Sequence, residues 1–148
     1  MDKQHLTLND ICIGDYVQEW SEIPGKWSTP MYVDGIFADG DLYLNLDGNE
    51  ADPFDANVKD VFDIPIDWGI LPHFGFFERD HHVWTLDVDE WKLDVSVYKP
   101  FKTFIVKAIL SNTVTGKVAF SKTNPDSIRK LQHWFYEETD KPLKLNFE

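Results

Sequence analysis

Three histidines, His73, His81 and His82, lie within ten positions of the chain, among several acidic residues. Imidazole and carboxylate groups are the nitrogen and oxygen ligands of zinc sites. The chain, however, contains no His-Glu-x-x-His segment and only a single cysteine. Neighbouring residues of a strand, as His81 and His82 would be, point to opposite faces of a sheet. We therefore expect structural or solvated roles for these histidines, and the sequence predicts no metal site.

Side chains with oxygen ligands recur between positions 39 and 52. Carboxylate and amide oxygens are the ligands that Ca²⁺ prefers. The segment does not match an EF-hand loop, because Tyr43 occupies the fifth position counted from Asp39 and the next residue is not glycine. We expect a hairpin followed by a solvated acidic loop, with calcium binding as the alternative. The candidate ligands are Asp39, Asp41, Asp47, Asn49, Glu50 and Asp52.

The chain lacks the usual signatures of nucleophilic and nucleotide-dependent catalysis. It has no Gly-x-Ser-x-Gly elbow and no glycine-rich phosphate loop. Cys12 lies between two isoleucines, which predicts a buried, inert thiol in a strand. No catalytic or cofactor-binding residue is predicted. A pair of carboxylates of the kind that glycosidases use stays open, because their separation is set in three dimensions.

Two of the six tryptophans, Trp20 and Trp27, fall in a segment with Pro, Gly and Ser that predicts a loop over residues 20–30. Either they cover the edge of a small barrel or they bind a partner, since exposed aromatic side chains favour interfaces. They are the candidate partner-binding residues. Trp84, Trp91 and Trp134 lie instead on predicted core faces.

The N-terminal half is typical of short strands joined by turns. Residues 6–17 predict short strands, and residues 31–37 and 42–46 predict a hairpin around Asp39-Gly40, whose residue types tolerate a positive φ. Residues 47–60 predict a connection that leads into a strand at 58–64. The Gly14-Asp15 turn is similar to those that open SH3-like barrels. We expect an SH3-like β-barrel subdomain over residues 1–64.

The C-terminal half alternates apolar and polar residues over 84–88 and 91–97, with Asp89-Glu90 between them, and two more strands are predicted over 101–110 and 113–120. One helix follows, from Asn124 as N-cap to about Thr139, with an apolar stripe that should dock on the sheet. Residues 65–148 therefore predict an antiparallel sheet with a C-terminal helix. The fold class of the whole chain is α+β, mainly antiparallel β.

Three short segments carry a resemblance. They are Ile-Gly-Asp-Tyr-Val at 13–17, Ile-Pro-Ile with Trp68 and Phe-Gly-Phe at 64–76, and the stretch from Leu-Gln at 131 to Lys-Pro-Leu at 143. In this order they resemble a group of small bacterial proteins, often associated with phage or mobile elements. The resemblance implies an N-terminal barrel and a C-terminal helix. It implies no catalytic residues, because that group has no established activity. The chain departs from the pattern at Asp140, where glycine is usual.

The 148 residues have 14 Lys and Arg against 26 Asp and Glu, a net charge of −12. This balance disfavours nucleic acid and anionic membranes as partners, and no segment predicts a membrane span or an export signal. The charge is uneven: residues 1–90 have four basic and twenty acidic residues, whereas residues 91–148 have ten and six. The exclusion of nucleic acid is therefore weaker for the C-terminal half, and head-to-tail self-association becomes conceivable.

Composition and motifs together indicate a cytoplasmic, non-enzymatic binding or adaptor protein with a protein partner. Two other classes remain as alternatives. One is a hydrolase that uses paired carboxylates, and the other is an acidic mimic of nucleic acid that occupies a DNA-binding enzyme.

Overall fold

The computed structural model describes residues 4–47 and 53–148. The chain divides between Ile64 and Pro65 into two compact units, Met1–Ile64 and Pro65–Glu148, here called the N-terminal unit and the C-terminal unit. In the described residues each unit has its own antiparallel sheet, and the one long helix spans Ile128–Thr139. The predicted α+β class, mainly antiparallel β, is confirmed.

The N-terminal unit is a curled half-barrel, and its likeness to an SH3-like barrel stays a prediction. Its first strand lies at the centre of the sheet. One edge of this strand pairs with the last strand, and its other edge pairs with the third strand in its first half and with the second strand in its last half. A 3-10 turn at Val58–Asp60 precedes the last strand. The strands among residues 4–47 and 53–64 are β1 Tyr16–Ser21, β2 Lys26–Trp27, β3 Met31–Ile36, β4 Asp41–Asn45, β5 Phe54–Asn57 and β6 Val61–Asp63.

Alternation along these strands builds the core of the half-barrel. The buried side chains include Val17 of β1, Val33 of β3, Leu42 and Leu44 of β4, and Val61 of β6. Successive residues of a strand face opposite sides, so Tyr43, between Leu42 and Leu44, points away from the core and is exposed. The two buried leucines of β4 therefore leave the ring of Tyr43 available for binding.

Three expectations for this unit need correction. The first strand begins only at Tyr16, although Leu6 and Ile11 are already buried in irregular backbone. The expected loop over residues 20–30 is instead a hairpin of β1 and β2. The expected connection over 47–60 contains the strand β5. The strand expected from residue 58 begins only at Val61, because residues 58–60 form the 3-10 turn, in which the side chain of Asn57 accepts the N–H of Lys59.

The C-terminal unit has five strands within its described residues 65–148, and they lie in the sheet in their sequence order. Each strand pairs with its sequence neighbour, so the sheet is a meander. The hairpin predicted around Asp89-Glu90 is confirmed, with Asp89 at a φ of 52°. The strands are β7 Phe77–Asp80, β8 Val83–Val88, β9 Trp91–Tyr98, β10 Ile105–Asn112 and β11 Val118–Phe120.

Two helices belong to the C-terminal unit, the short α1 Ile70–His73 and the longer α2 Ile128–Thr139. The predicted N-cap Asn124 is wrong. Its side chain accepts the backbone N–H of Val106, and Ser127 caps α2 by accepting the N–H of Lys130. The apolar stripe of α2 is buried as expected. No helix in residues 4–47 and 53–148 is long and apolar enough to cross a bilayer.

Replacing Ser127 with alanine should lower the free energy of unfolding by about 1 kcal/mol, because the N–H of Lys130 loses its acceptor. Ser127→Thr keeps the hydroxyl and should lose less. Urea denaturation followed by circular dichroism measures both variants. An equal loss in both would assign the effect to packing around the buried Ser127 and contradict the capping role.

Candidate functional site

An open groove of about 800 Å³ lies in the N-terminal unit. Its walls come from the end of β1, the turn between β3 and β4, the paired strands β4 and β5, and the 3-10 turn. No Lys or Arg is found among the described residues that line it. The groove, called the acidic groove below, has the carboxylates of Glu19, Asp39, Asp41, Asp55 and Asp60.

Two aromatic rings form part of the same groove. Phe37 and Tyr43 meet edge to face, with ring centroids 5.0 Å apart and an interplanar angle of 75°. They are 44% and 42% exposed. Gly35 makes room for Tyr43, because a Cβ at position 35 would lie 3.1 Å from Cδ2 of that ring. Exposed ring surface and negative charge are therefore presented together.

The turn between β3 and β4 places two of the groove's carboxylates. Gly40 adopts a φ of +96°, and its N–H donates to the carbonyl of Phe37 at 3.0 Å. The backbone N–H of Asp41 donates to the side chain of Asp39 at 3.0 Å. The amide Nδ2 of Asn57 donates to Asp41 Oδ1 at 3.1 Å, which ties the turn to the end of β5.

Glu19 differs from the exposed aspartates of the groove because it is partly buried. It falls on the same face of β1 as the core residue Val17, and β1 pairs it with Val61 of β6. Desolvation raises the pKa of Glu19 above its ordinary value of 4.5, and the negative charge of Asp60 raises it further. Holding Glu19 ionised therefore opposes folding.

The substitution Glu19→Gln should stabilise the protein above the folded-state pKa of Glu19. Because folding raises this pKa, the wild-type side chain contributes most at low pH, and that contribution is lost as the pH rises through the folded value. Gln removes the ionisation. The melting temperature of the variant should exceed that of the wild type at about pH 7, and the difference should vanish below about pH 4.

The matched control is Glu22→Gln, which removes the same charge from an exposed position three residues along the chain. Melting curves at several pH values for both variants make the comparison. A pH-independent difference for Glu19→Gln, or an equal one for Glu22→Gln, would contradict the burial effect.

The residues proposed for calcium separate into three groups. Asp39 and Asp41 line the groove, and Asp47 accepts a hydrogen bond of 2.6 Å from the hydroxyl of Tyr16. Among the described residues, no three groove carboxylates bring ligand atoms within 4.8 Å of one another. Asn49, Glu50 and Asp52 lie outside the described residues. Calcium binding thus stays an untested alternative.

The histidines are arranged differently from the sequence expectation. His81 and His82 do not point to opposite faces, because they lie in the turn between β7 and β8, where His82 has a φ of 62°. Their ring centroids are 3.7 Å apart. His73 lies elsewhere in the C-terminal unit, with Nδ1 2.6 Å from the carbonyl oxygen of Glu148.

The candidate partner-binding tryptophans lie outside the acidic groove. Trp20 and Trp27 are directly paired residues of β1 and β2, with ring centroids 4.9 Å apart. The ring of Trp27 also meets that of Phe62 at 5.2 Å. Both side chains are half-buried. Their role in binding a partner stays a prediction.

Cys12 is exposed and precedes β1, so the expectation of a buried strand thiol is wrong.

In the C-terminal unit, the buried Thr85 connects two charged residues. Its hydroxyl donates to Asp94 Oδ1 and accepts from Nε of Arg79, which also lies 3.4 Å from Asp94. Because Thr85 has no exposed surface, this arrangement joins strands β7, β8 and β9 and presents no accessible nucleophile.

Sequence reasoning identified Asp39 and Asp41 as ligand-bearing residues but missed the rest of the groove. Phe37 and Tyr43 had a usable signal, since these two aromatic residues flank the Asp39-Gly40 turn on either side. Glu19, Asp55 and Asp60 come from other segments, and only the fold brings them to the same groove. No protein family, curated protein or solved structure matched the chain in the comparisons.

Proposed function

We propose that the protein is a non-enzymatic binding or adaptor protein, and that its acidic groove binds a basic segment of a protein partner. The observation that supports this most strongly is the combination of five described carboxylates with two half-exposed aromatic rings in one groove. Lys and Arg side chains match both features, because they pair with carboxylates and are attracted to the faces of aromatic rings.

The charge of the N-terminal unit favours a cationic partner segment whatever the order of its residues. Residues 1–64 have fourteen acidic and three basic residues, a net charge of −11. Like charges facing one groove create a negative potential that speeds the approach of a cationic segment and repels an anionic one. Because Asp39, Asp41, Asp55 and Asp60 are exposed, each contributes modestly, and the groove acts through their sum.

The double substitution Asp55→Asn and Asp60→Asn should weaken binding of a basic peptide. The probe is a fluorescently labelled peptide of alternating Lys and Phe residues, and fluorescence anisotropy gives its Kd. Loss of two exposed charges should raise the Kd by about fivefold, corresponding to about 1 kcal/mol, and the difference should shrink at high salt.

The control for this variant is Glu22→Gln with Asp87→Asn, which removes two exposed charges outside the groove. Tyr43→Leu tests the contribution of the aromatic ring without a change of charge, because leucine keeps apolar surface at this position. It should raise the Kd of the basic peptide. Equal effects of the groove and control variants would assign binding to net charge alone and contradict a groove site. A peptide with Glu in place of Lys should not bind.

The hydrolase alternative has one observation in its favour, namely that the pKa of Glu19 is raised by burial and by Asp60. A carboxyl group with a raised pKa suits a general acid. Turnover of glycoside or ester substrates that Glu19→Gln abolishes would favour this alternative over a binding protein. If the Glu19→Gln variant still binds the peptide, and the wild type turns over none of these substrates, the result supports the binding function.

A further inference from the structure

The most exposed large aromatic side chain described in the C-terminal unit is Phe101, with 90% of its surface open to solvent. It lies in the bend between β9 and β10, next to Pro100 and between the exposed residues Lys99 and Lys102. A single exposed aromatic residue is ordinary on a protein surface. An aromatic residue flanked by two cations in a bend is also the chemistry that the acidic groove is proposed to bind.

The base of this bend is anchored, although its tip is exposed. Lys99 Nζ lies 4.9 Å from the ring centroid of Phe104, and that ring meets Trp68 edge to face at 5.0 Å. The indole N–H of Trp68 donates to the carbonyl of Val97 at 2.9 Å. Trp68 also stacks on His82, with centroids 4.7 Å apart and planes at 9°. These contacts reduce the conformational freedom that residues 99–103 would lose on binding.

We propose that the acidic groove of one molecule binds the Lys99-Pro100-Phe101-Lys102 bend of a second copy of the chain. This proposal rests on the proposed function and names the partner. Charge complementarity supports it at the contact itself, because the N-terminal unit has a net charge of −11 and the bend has two lysines and no acidic residue, while the C-terminal unit as a whole has a net charge of −1. The two lysines face the groove's carboxylates, and Phe101 lies against the rings of Phe37 and Tyr43.

This contact joins two different surfaces, so it is head-to-tail. Each molecule that binds through its bend still has an open groove, and a further copy can add there. Contacts of this kind close into rings when the rotation permits and otherwise form chains. Because the charges are exposed, the association is weak and salt-sensitive.

Sedimentation equilibrium over a range of protein concentrations tests the proposal. At about 20 mM salt the weight-average mass of the wild type should rise with concentration, and at about 0.5 M salt it should return to the monomer mass. That monomer mass is 17.3 kDa. Phe101→Ser and the pair Lys99→Glu with Lys102→Glu should each hold the mass at the monomer value. The matched control, Lys117→Glu with Lys122→Glu, changes exposed lysines elsewhere in the C-terminal unit and should associate like the wild type.

A charge exchange gives the strictest test. The groove variant Asp55→Lys with Asp60→Lys and the bend variant Lys99→Glu with Lys102→Glu should each be monomeric alone and should associate when mixed. A wild type that is monomeric at every concentration and salt, or a control that loses association equally, overturns the proposal. If the wild type stays monomeric while the Lys and Phe peptide still binds in the groove, self-association fails and the proposed function stands.

Discussion

The contact between the β3–β4 turn and the 3-10 turn is the interaction on which the acidic groove depends. Gly40 donates within the β3–β4 turn and accepts the N–H of Val58 at 2.8 Å, while Asn57 bridges to Asp41. A residue with a side chain at position 40 would need a backbone φ of +96°, which glycine adopts without steric cost. These bonds bring Asp39 and Asp41 toward the wall that carries Asp60.

Much of the fold follows from local patterns. Alternation on either side of Asp39-Gly40 and Asp89-Glu90 predicts hairpins, and both form with the apolar residues of the paired strands on one face, as at Val33–Leu44 and Leu86–Leu93. The missed features depend on competing partners for one side chain. Asn124 has the chemistry of an N-cap but bonds to Val106, and Ser127 takes the cap instead. Asn57 folds a 3-10 turn in a segment whose composition indicates only a connection.

The site was less predictable than the fold, because its members come from five separate parts of the half-barrel. Asp39 and Asp41 are conspicuous in sequence, but the pattern there predicts a hairpin with a solvated acidic loop, with calcium binding as the alternative, and does not indicate a groove. Tyr43 becomes a site residue only because Leu42 and Leu44 are buried beside it, and Gly35 leaves its ring space on the neighbouring strand. Glu19 gives no sequence signal at all, since its raised pKa arises from burial that the curvature of the sheet creates.

The two units differ in how they treat their charges. The ion pairs Arg79–Asp94 and Lys130–Asp126 lie in the C-terminal unit, whereas no cation lines the acidic groove among the described residues. Uncompensated like charge opposes the compact state, so a groove of this kind is costly to keep for stability alone. A cation that enters the groove relieves this repulsion, and a ligand that binds only the folded state stabilises it. The negative charge that helps to raise the pKa of Glu19 in the free half-barrel is therefore also what would favour the proposed binding of a basic segment.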